Sequence, residues 1–290
     1  MAEMEHYPNF QKDNYIHPKA AWDKLRMAGA RRQNVYLYAA TGYGKTELLH
    51  RYLRRRRHIW LSGEGLTVET LQEIALPAEA TMVIDDLARV LDPAVRREIV
   101  SMLDQPGLWL VLAGRCPLPS WLTRPYVNGR LSVIPEEDLR LSEKEIAQLY
   151  LSWGVQLPRN LLEKRIIPLV EGNPLGARLL AVEMSQGSSY TEELVNGLTR
   201  KFYEYLNQAI YSEWPEEIRE MVMQLSLLEH FTIQQAEEMT GRSDVNRLLA
   251  QAAETGNLGQ HQRRRLHPAA RRHQQHEAAD GDGLRSGAEK

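Results

Sequence analysis

The sequence predicts two halves: an α/β domain whose parallel sheet has helices on both faces, and then an all-helical half. Short apolar runs alternate with helical patterns up to about residue 140, which is typical of a parallel sheet covered on both faces. The first run leads into a loop of small residues that ends in Gly44-Lys45-Thr46. From Leu141 onward the apolar spacing is helical throughout.

That loop is the feature around which the first half is organised. A strand is predicted over residues 35–38, and leucines at helical spacing follow Thr46. Strand, small-residue loop, Gly-Lys-Thr and helix together indicate a phosphate-binding loop. Glycines let backbone N–H groups converge on phosphates, and the new helix adds positive potential. Lys45 would reach the β- and γ-phosphates, and Thr46 would hold Mg²⁺ through its hydroxyl group.

The first position of the strict phosphate-loop pattern is glycine, whereas Ala39 stands there in this chain. The alternative is a glycine-rich loop at a strand–helix joint that binds nothing. The agreement of strand, loop, Lys-Thr pair and helix favours nucleotide binding. The predicted cofactor-binding residues of this segment are Ala39, Gly42, Tyr43, Gly44, Lys45, Thr46 and Glu47.

A second motif lies at residues 80–86, where an apolar strand ends in Asp85 and Asp86. After a phosphate loop this pattern is typical of a Walker B strand. Asp85 would hold the Mg²⁺ shell, and Asp86 would orient or deprotonate the attacking water. The alternative is an ordinary strand that ends in a turn containing aspartate.

A third apolar run, over residues 108–113, is followed by Arg115. An arginine there could reach a γ-phosphate, although by itself a surface arginine is the ordinary interpretation. Ligands of parallel sheets bind at the carboxyl ends of the strands. Because Gly42, Asp85 and Arg115 all follow strand ends, the sequence predicts one site for ATP or ADP with Mg²⁺. Asp86 and Arg115 are its predicted catalytic residues.

The other elements of the first half are less distinctive. Helices are predicted over residues 16–29, 68–75 and 93–103, and strands over 59–62 and 131–134, the last as an edge strand. A basic run at 54–57 ends the helix that follows the loop. It is interpreted as a solvated helix end rather than a nucleic-acid site, because no aromatic or second basic stripe accompanies it.

The second half is predicted to contain helices over residues 143–153, 161–170, 174–187 and 192–211, and then a third unit with helices over 215–228, 232–241 and 243–254. Helix, short helix, turn and helix is typical of a winged-helix or helix-turn-helix unit. A packing or regulatory module is favoured over a DNA reader, because the last helix carries few basic or amide side chains. After Asn257 large apolar residues almost disappear, which predicts a disordered tail or a truncated or frame-altered continuation.

Composition excludes several classes of protein. The chain has 36 Lys and Arg residues against 38 Asp and Glu residues, so its overall charge gives no argument for nucleic acid. A single cysteine, Cys116, excludes an internal disulfide. The sequence begins without a signal peptide pattern, and its longest apolar run is too short to span a bilayer. A cytoplasmic protein without membrane contact is expected.

The motifs resemble those of the N-terminal, AAA-like ATPase region of MalT-like transcriptional regulators of the LuxR family, which are signal-transducing NTPases of the STAND class. Relatives share a loop close to A-P-A-G-Y-G-K-T and also lack its first glycine, so Ala39 supports the resemblance. A Gly-x-Pro turn lies near the adenine in this class, which implies that Pro174 binds nucleotide. The resemblance covers about residues 15–257 and rests on residues 39–46, 84–86, 113–117, 138–145 and 172–174.

This resemblance implies a switch between ADP and ATP states with slow, regulatory hydrolysis at most. It also implies self-association in the ATP state, and DNA binding only through a C-terminal domain absent from this chain. The alternatives are a stand-alone ATPase with fast turnover and a DNA-binding module at residues 213–257. The predicted domains are a leader at 1–15, the phosphate-loop domain at 16–140, a helical domain at 141–212, a partial winged-helix unit at 213–257 and a tail at 258–290.

Overall fold

The computed structural model describes residues 14–209, 214–228 and 231–254. The strands are β1 (Asn34–Tyr38), β2 (Ile59–Ser62), β3 (Ala80–Asp85), β4 (Leu108–Gly114) and β5 (Leu131–Ile134). The helices of the first half are α1 (Lys19–Arg31), α2 (Lys45–Leu53), α3 (Val68–Glu73), α4 (Pro93–Met102), α5 (Ser120–Val127) and α6 (Glu136–Leu139). Those of the second half are α7 (Glu143–Ser152), α8 (Arg159–Leu161), α9 (Ile167–Val170), α10 (Pro174–Ser185), α11 (Glu192–Ala209), α12 (Glu216–Leu225), α13 (Ile233–Thr240) and α14 (Val245–Glu254). The predicted leader up to residue 13 and the predicted tail lie outside the described residues.

The five strands form one sheet in the order β2-β3-β4-β1-β5, and every neighbouring pair is parallel. This confirms the predicted parallel sheet, and β5 lies at its edge as expected. The strand that leads into the phosphate loop, β1, is separated by β4 from the strand that ends in aspartate, β3. All three therefore bring their carboxyl ends to the same edge of the sheet.

Strand β4 shows why the apolar runs are continuous rather than alternating. Every residue of β4 is buried, because successive side chains point to opposite faces of a sheet that is covered on both sides. One face packs on α3 and α4 and the other on α1 and α2. The β4 residues on the first face are Leu108, Leu110 and Leu112, and those on the second are Trp109, Val111 and Ala113.

The helical half has two cores of its own. One is built by α7, α9, α10 and α11, and the other by α12, α13 and α14. Helices α7 and α13 each begin with a capping box: Ser142 is paired with Glu145, and Thr232 with Gln235. Asn173 caps α10, since its side-chain oxygen accepts the Gly176 N–H at 2.9 Å. The helix predicted over 161–170 contains a π-helical turn, Leu162–Ile166, between α8 and α9.

Some elements differ from the sequence expectation. Helix α1 begins at Lys19 rather than near residue 16, because the residue before Pro18 is disfavoured in helical geometry. Helix α5 was not predicted: it contains Pro125, which cannot donate a helix hydrogen bond, yet packing buries that residue and Leu122. Within the described ranges no strand follows β5, and no helix there is long and apolar enough to cross a membrane.

Candidate nucleotide-binding site

A cavity of about 430 Å³ lies at the carboxyl edge of the sheet, between the phosphate loop and the helical domain. Its walls come from the segment before α1, the loop and α2, the ends of β3 and β4, and helices α7 and α10. The sequence-predicted residues that line it are Gly42, Gly44, Lys45, Thr46, Glu47, Asp85, Asp86, Arg115 and Pro174. The fold therefore brings together residues that are up to about 130 positions apart in the chain.

The loop has the backbone geometry that a phosphate cradle needs. Gly42 has a φ of 91° and Gly44 a φ of 73°, both in the left-handed region that side chains disfavour. Lys45 begins α2 and is only 9% exposed. Its Nζ atom donates hydrogen bonds to the carbonyl oxygens of Ala39 at 2.7 Å and Ala40 at 3.2 Å.

The ammonium group of Lys45 is poised for an anion. Burial lowers the pKa of Lys45 from 10.5 to about 8, while the carboxylate of Asp85 opposes that shift and the Arg115 guanidinium adds to it. A phosphate placed beside this group would favour its charged form, because an opposite charge nearby offsets the desolvation. The lysine is therefore a strong anion ligand held at the end of a cavity.

Thr46 and Asp85 form a pair that suits a magnesium ion. The Thr46 hydroxyl donates its proton to Asp85 Oδ2 at 2.7 Å, which leaves the lone pairs of the hydroxyl oxygen for a cation. Asp85 is 8% exposed, and its Oδ1 accepts the Asp86 N–H at 2.8 Å. The described residues contain no cluster of three metal-ligating side chains. Magnesium does not require one, since phosphate oxygens and water complete its shell.

Asp86 and Arg115 face each other across the same end of the cavity. Arg115 Nη2 lies 3.4 Å from Asp86 Oδ1. The Asp86 backbone is left-handed, with a φ of 50°, and this conformation turns the chain sharply after β3. The Asp86 side chain is 46% exposed and that of Arg115 is 18% exposed, so the aspartate remains accessible to water.

Two of the predicted residues lie behind the cavity rather than in its wall. Ala39 is buried, and its carbonyl oxygen accepts from Lys45. Tyr43 packs against the core, and the side chains of Glu136 and Asn173 influence its hydroxyl. Burial, with help from the nearby Glu136 carboxylate, raises the pKa of Tyr43 to about 12. These residues support the loop rather than line the cavity.

Glu136 is a buried carboxylate that the sequence did not single out. It begins α6, is 4% exposed, and its Oε2 accepts the Ala40 N–H of the loop at 2.9 Å. Arg140 Nη2 lies 3.6 Å from its other oxygen. In the sequence it is one of two adjacent glutamates ahead of α7, with nothing to show that it reaches the loop. It holds the phosphate loop from behind.

The loop is also tied to the helical domain. The Leu175 N–H, in the first turn of α10, donates to the Gly42 carbonyl at 3.2 Å. A Cβ atom on Gly42 would meet Leu175 Cδ2 at 3.2 Å, so the two segments are in close contact. A change in the conformation of the loop would therefore alter its contact with α10.

Three residues that line the cavity each carry a buried polar atom with no hydrogen-bond partner among the described residues: Tyr15 Oη, Thr41 Oγ1 and Trp153 Nε1. A buried polar atom without a partner is destabilising by about 1–3 kcal/mol. The sequence predicts Tyr15 in the leader and Trp153 at a helix end, with no local signal that either lines a site. Arg178 of α10 was also missed.

Comparisons with known proteins agree with this architecture. A Walker-type ATPase of Pyrococcus abyssi matches with a TM-score of 0.60 and 12% identity, over 86% of this chain and 92% of the other. A single-residue variant of the RuvB protein of Thermotoga maritima matches with a TM-score of 0.50 and 19% identity, over 83% and 87% of the two chains. At these identities the likeness shows the fold, which is that of a P-loop ATPase. No curated protein matches the chain.

The family model of the MalT winged helix domain matches residues 207–285. The chain carries a MalT-type winged helix domain. The resemblance to MalT-like regulators is thereby confirmed, with a P-loop ATPase region ahead of that domain. The match begins within the segment predicted as the helical domain and reaches into the segment predicted as the tail.

Helices α12, α13 and α14 are the described part of the MalT-type domain. They enclose a core that includes Trp214 and Ile218. Arg242 and Arg247, on the turn before α14 and on α14 itself, both pair with carboxylates: Arg247 Nη2 lies 2.6 Å from Asp244 Oδ2, and Arg242 Nη2 lies 3.3 Å from Glu217 Oε2. Hydrogen bonds from the side chains of Arg242 and Arg247 hold the pKa of Asp244 at about 2. The charged groups are engaged within the domain.

Proposed function

We propose that this chain is the ATP-binding region of a STAND-type, MalT-like transcriptional regulator, and that it switches between ADP and ATP states. The observation that carries this proposal is the convergence of Lys45, Thr46, Asp85, Asp86 and Arg115 on one cavity whose opposite wall belongs to a different domain. A site shared between two domains couples what it binds to how the domains pack.

The phosphates of the nucleotide would lie in the loop. The N–H groups at the start of α2 and the Lys45 ammonium supply positive charge, and the two glycines allow close approach of the backbone. Thr46 and Asp85 would hold Mg²⁺, which neutralises negative charge on the β- and γ-phosphates. Pro174, at the first position of α10, lines the same cavity from the side of the helical domain.

Hydrolysis depends on the far end of the cavity. The Asp86 carboxylate is accessible and can accept a proton from water, while the Arg115 guanidinium beside it keeps that carboxylate in place and adds positive charge. Slow, regulatory turnover is expected from the resemblance to STAND-type ATPases.

The contact of Leu175 with Gly42 supports the switch. A γ-phosphate binds near the loop, Asp86 and Arg115, so ATP and ADP contact the cavity differently. That difference reaches α10 through one hydrogen bond and one close packing contact. The helical and winged-helix domains would then adopt different packings in the two states, and exposed surface in the ATP state would support self-association.

Nucleotide identified by mass spectrometry in the purified protein would test binding first. Calorimetry should then show that Lys45→Ala abolishes the affinity for ATP and ADP, whereas Lys144→Ala, an exposed lysine on α7, leaves it unchanged. Unchanged affinity in Lys45→Ala would refute the assignment of the loop. Rapid steady-state turnover without a partner would favour the stand-alone ATPase, and sedimentation in ATP against ADP would test self-association.

DNA binding by the MalT-type domain itself is the weaker candidate. Acidic residues outnumber arginines over the described stretch 214–254, and Arg242 and Arg247 are paired with carboxylates. Among the described residues of this domain, these two paired arginines are not available to neutralise DNA phosphates. A gel shift with duplex DNA at increasing salt would test this, and tight salt-sensitive binding by this chain would overturn it.

A further inference from the structure

Four consecutive arginines, Arg54 to Arg57, lie in the turn between α2 and β2, and all four residues are exposed. Strand β2 begins at Ile59, so the run lies at the edge of the sheet where the strands begin. The strands are parallel, and the nucleotide cavity lies at their carboxyl ends. The run is therefore at the opposite edge from the cavity and takes no part in the site described above.

The helix dipole does not explain this run. Cations stabilise the C-terminal end of a helix only within its last turn. The last turn of α2 already contains two basic residues, and Arg54 is the C-cap residue, so the other three arginines lie beyond the helix. Among the described residues no ion pair engages any of the four, whereas Arg51 is paired with Glu47. The run is therefore a concentration of positive charge without a neutralising partner in the described part of the chain.

Aromatic side chains lie beside the run. The Arg56 guanidinium lies over the Tyr52 ring, 5.1 Å from its centroid. On the other side of the run, the ring of Trp60 contacts those of His50 and His58, with centroid distances of 3.9 and 6.2 Å. The expectation that no aromatic side chain accompanies the basic run is therefore wrong. The Tyr52 ring holds one guanidinium in place, which reduces the freedom that this side chain loses when it binds a ligand.

Helix α1 brings further cations to the same place. It packs beside α2 on one face of the sheet, and a Cβ atom on Gly29 would meet Tyr52 Oη at 2.8 Å. Arg26 lies one turn before Gly29 on the same face of α1; its side chain is 68% exposed and lies 3.5 Å from Asp23. Arg31 ends α1 and is exposed. The arginines of these two segments form one surface, the basic edge: Arg26, Arg31, Arg54, Arg55, Arg56 and Arg57.

Carboxylates at this edge of the sheet are already engaged by other arginines. Glu79 and Asp104 lie just before β3 and β4. Glu79 Oε2 is 3.5 Å from Arg32 Nη1, and Asp104 is paired with Arg130. The basic edge therefore keeps an excess of positive charge over the described carboxylates around it, and such a surface attracts an anion that carries many charges.

We infer that the basic edge binds the phosphate backbone of nucleic acid without reading its sequence. Guanidinium groups bind phosphates through two parallel hydrogen bonds, and nucleic acid presents many closely spaced phosphates that adjacent arginines can contact at once. Contacts of this kind position a protein on the backbone and carry no sequence information. A lipid surface is the weaker partner, because residues 54–58 include no apolar side chain that could enter a membrane. This activity is separate from nucleotide binding and goes beyond it.

The test measures binding of the full chain to a short labelled duplex DNA by fluorescence anisotropy at increasing salt. From about 50 to about 200 mM salt the affinity should fall on the order of a hundredfold, as expected if about four phosphates are neutralised. Arg54→Gln, Arg55→Gln and Arg57→Gln together should lower the affinity at least about tenfold at the lower salt concentration and make the salt dependence less steep. Arg56 is left in place because it contacts Tyr52.

Matched variants control for net charge and for folding. Arg124→Gln, Lys144→Gln and Arg165→Gln together remove the same charge from exposed residues elsewhere and should leave DNA binding unchanged. Replacing the three arginines of the basic edge by lysine keeps the charge and should keep most of the salt dependence. The melting temperature of the glutamine variant should stay close to that of the parent, because these side chains have no ion pair to lose among the described residues.

Single-stranded RNA and phosphatidylserine vesicles complete the comparison. An equal loss of DNA and RNA binding in the glutamine variant would assign the basic edge to any phosphate backbone, and a loss for DNA alone would assign it to duplex DNA. Binding of the parent to vesicles but to neither nucleic acid would overturn the inference. DNA binding that survives in the glutamine variant, or that falls equally in the charge-matched control, would also overturn it.

Failure of this inference is distinguishable from failure of the proposed nucleotide-binding function. Lys45→Ala should leave DNA binding unchanged, because Lys45 lies at the opposite edge of the sheet. The glutamine variant of the basic edge should in turn keep the ATP affinity of the parent, since none of its substitutions lies in the cavity.

Discussion

Raising the pH should weaken nucleotide binding through Lys45. The folded-state pKa of this lysine is about 8 because the side chain is buried, against 10.5 in an exposed chain. Phosphate binds the ammonium form, so affinity falls once the pH exceeds the pKa of the free protein. Between about pH 7.5 and about pH 9 the charged fraction drops from roughly three-quarters to roughly one-tenth, and the affinity for ATP should fall about eightfold.

Raising the pH has the opposite effect on the contribution of Lys45 to the free energy of unfolding. A lysine whose pKa is lower in the folded than in the unfolded chain is protonated more in the unfolded chain between these two values. The contribution of Lys45 to the free energy of unfolding should therefore rise with pH from about 8 to 10.5. Weaker ATP binding above pH 8 would therefore not result from unfolding caused by Lys45.

Isothermal titration calorimetry at constant free Mg²⁺ and ionic strength is the appropriate assay. The control is Lys45→Arg, because a guanidinium stays charged over the whole range. Its affinity is expected to be lower than that of the parent, since the larger group must fit the same buried position, but independent of pH. A flat profile for the parent, or an equal fall in Lys45→Arg, would show that this lysine does not govern the pH dependence.

Variants of Asp86, Gly42 and Glu136 test other parts of the site. Asp86→Asn should bind ATP like the parent and hydrolyse it on the order of a hundredfold more slowly, since asparagine tolerates the φ of 50° but is a poor base; parent-like single-turnover rates would remove Asp86 from the mechanism. Gly42→Ala should lower nucleotide affinity more than Gly187→Ala does. Both glycines have a φ above 90°, but only the Cβ atom added at Gly42 would contact Leu175 of α10. Equal affinities of the two variants would argue against the coupling. Glu136→Ala should lower the free energy of unfolding by about 1–3 kcal/mol by leaving a loop N–H without its acceptor, whereas Glu136→Gln should lose less in the same urea titration.

Much of the candidate site could be predicted because its motifs are local. The loop at 39–46 shows itself by strand, small residues, Lys-Thr and helix within about fifteen positions, and Asp85 and Asp86 end a continuous apolar strand. Parallel strands must place their carboxyl ends at one edge, so the meeting of Lys45, Asp85 and Arg115 followed from the pattern. The structure places these side chains within one cavity, as predicted.

Other contacts depend on the tertiary structure. Glu136 reaches the Ala40 N–H from 96 positions away, and neither residue carries a local signal of that bond. The sequence predicts Tyr15 in a polar leader and Trp153 at a helix end. It does not predict their burial, because burial of a hydroxyl or an indole N–H is a property of packing rather than of sequence spacing. For the same reason the sequence does not predict α5, where packing of Leu122 overrides the tendency of Pro125 to break a helix.

A parallel α/β domain with a phosphate loop, an aspartate-ended strand and a helical half can all be predicted from the sequence, because each is encoded by residues close together in the chain. The residues that close the cavity opposite the loop are evident from the folded chain alone. The hydrogen bond from Leu175 to Gly42, and the wall shared by Tyr15 and Trp153, arise where separate domains pack. Such contacts are set by the shape and docking of whole elements, which no local pattern specifies.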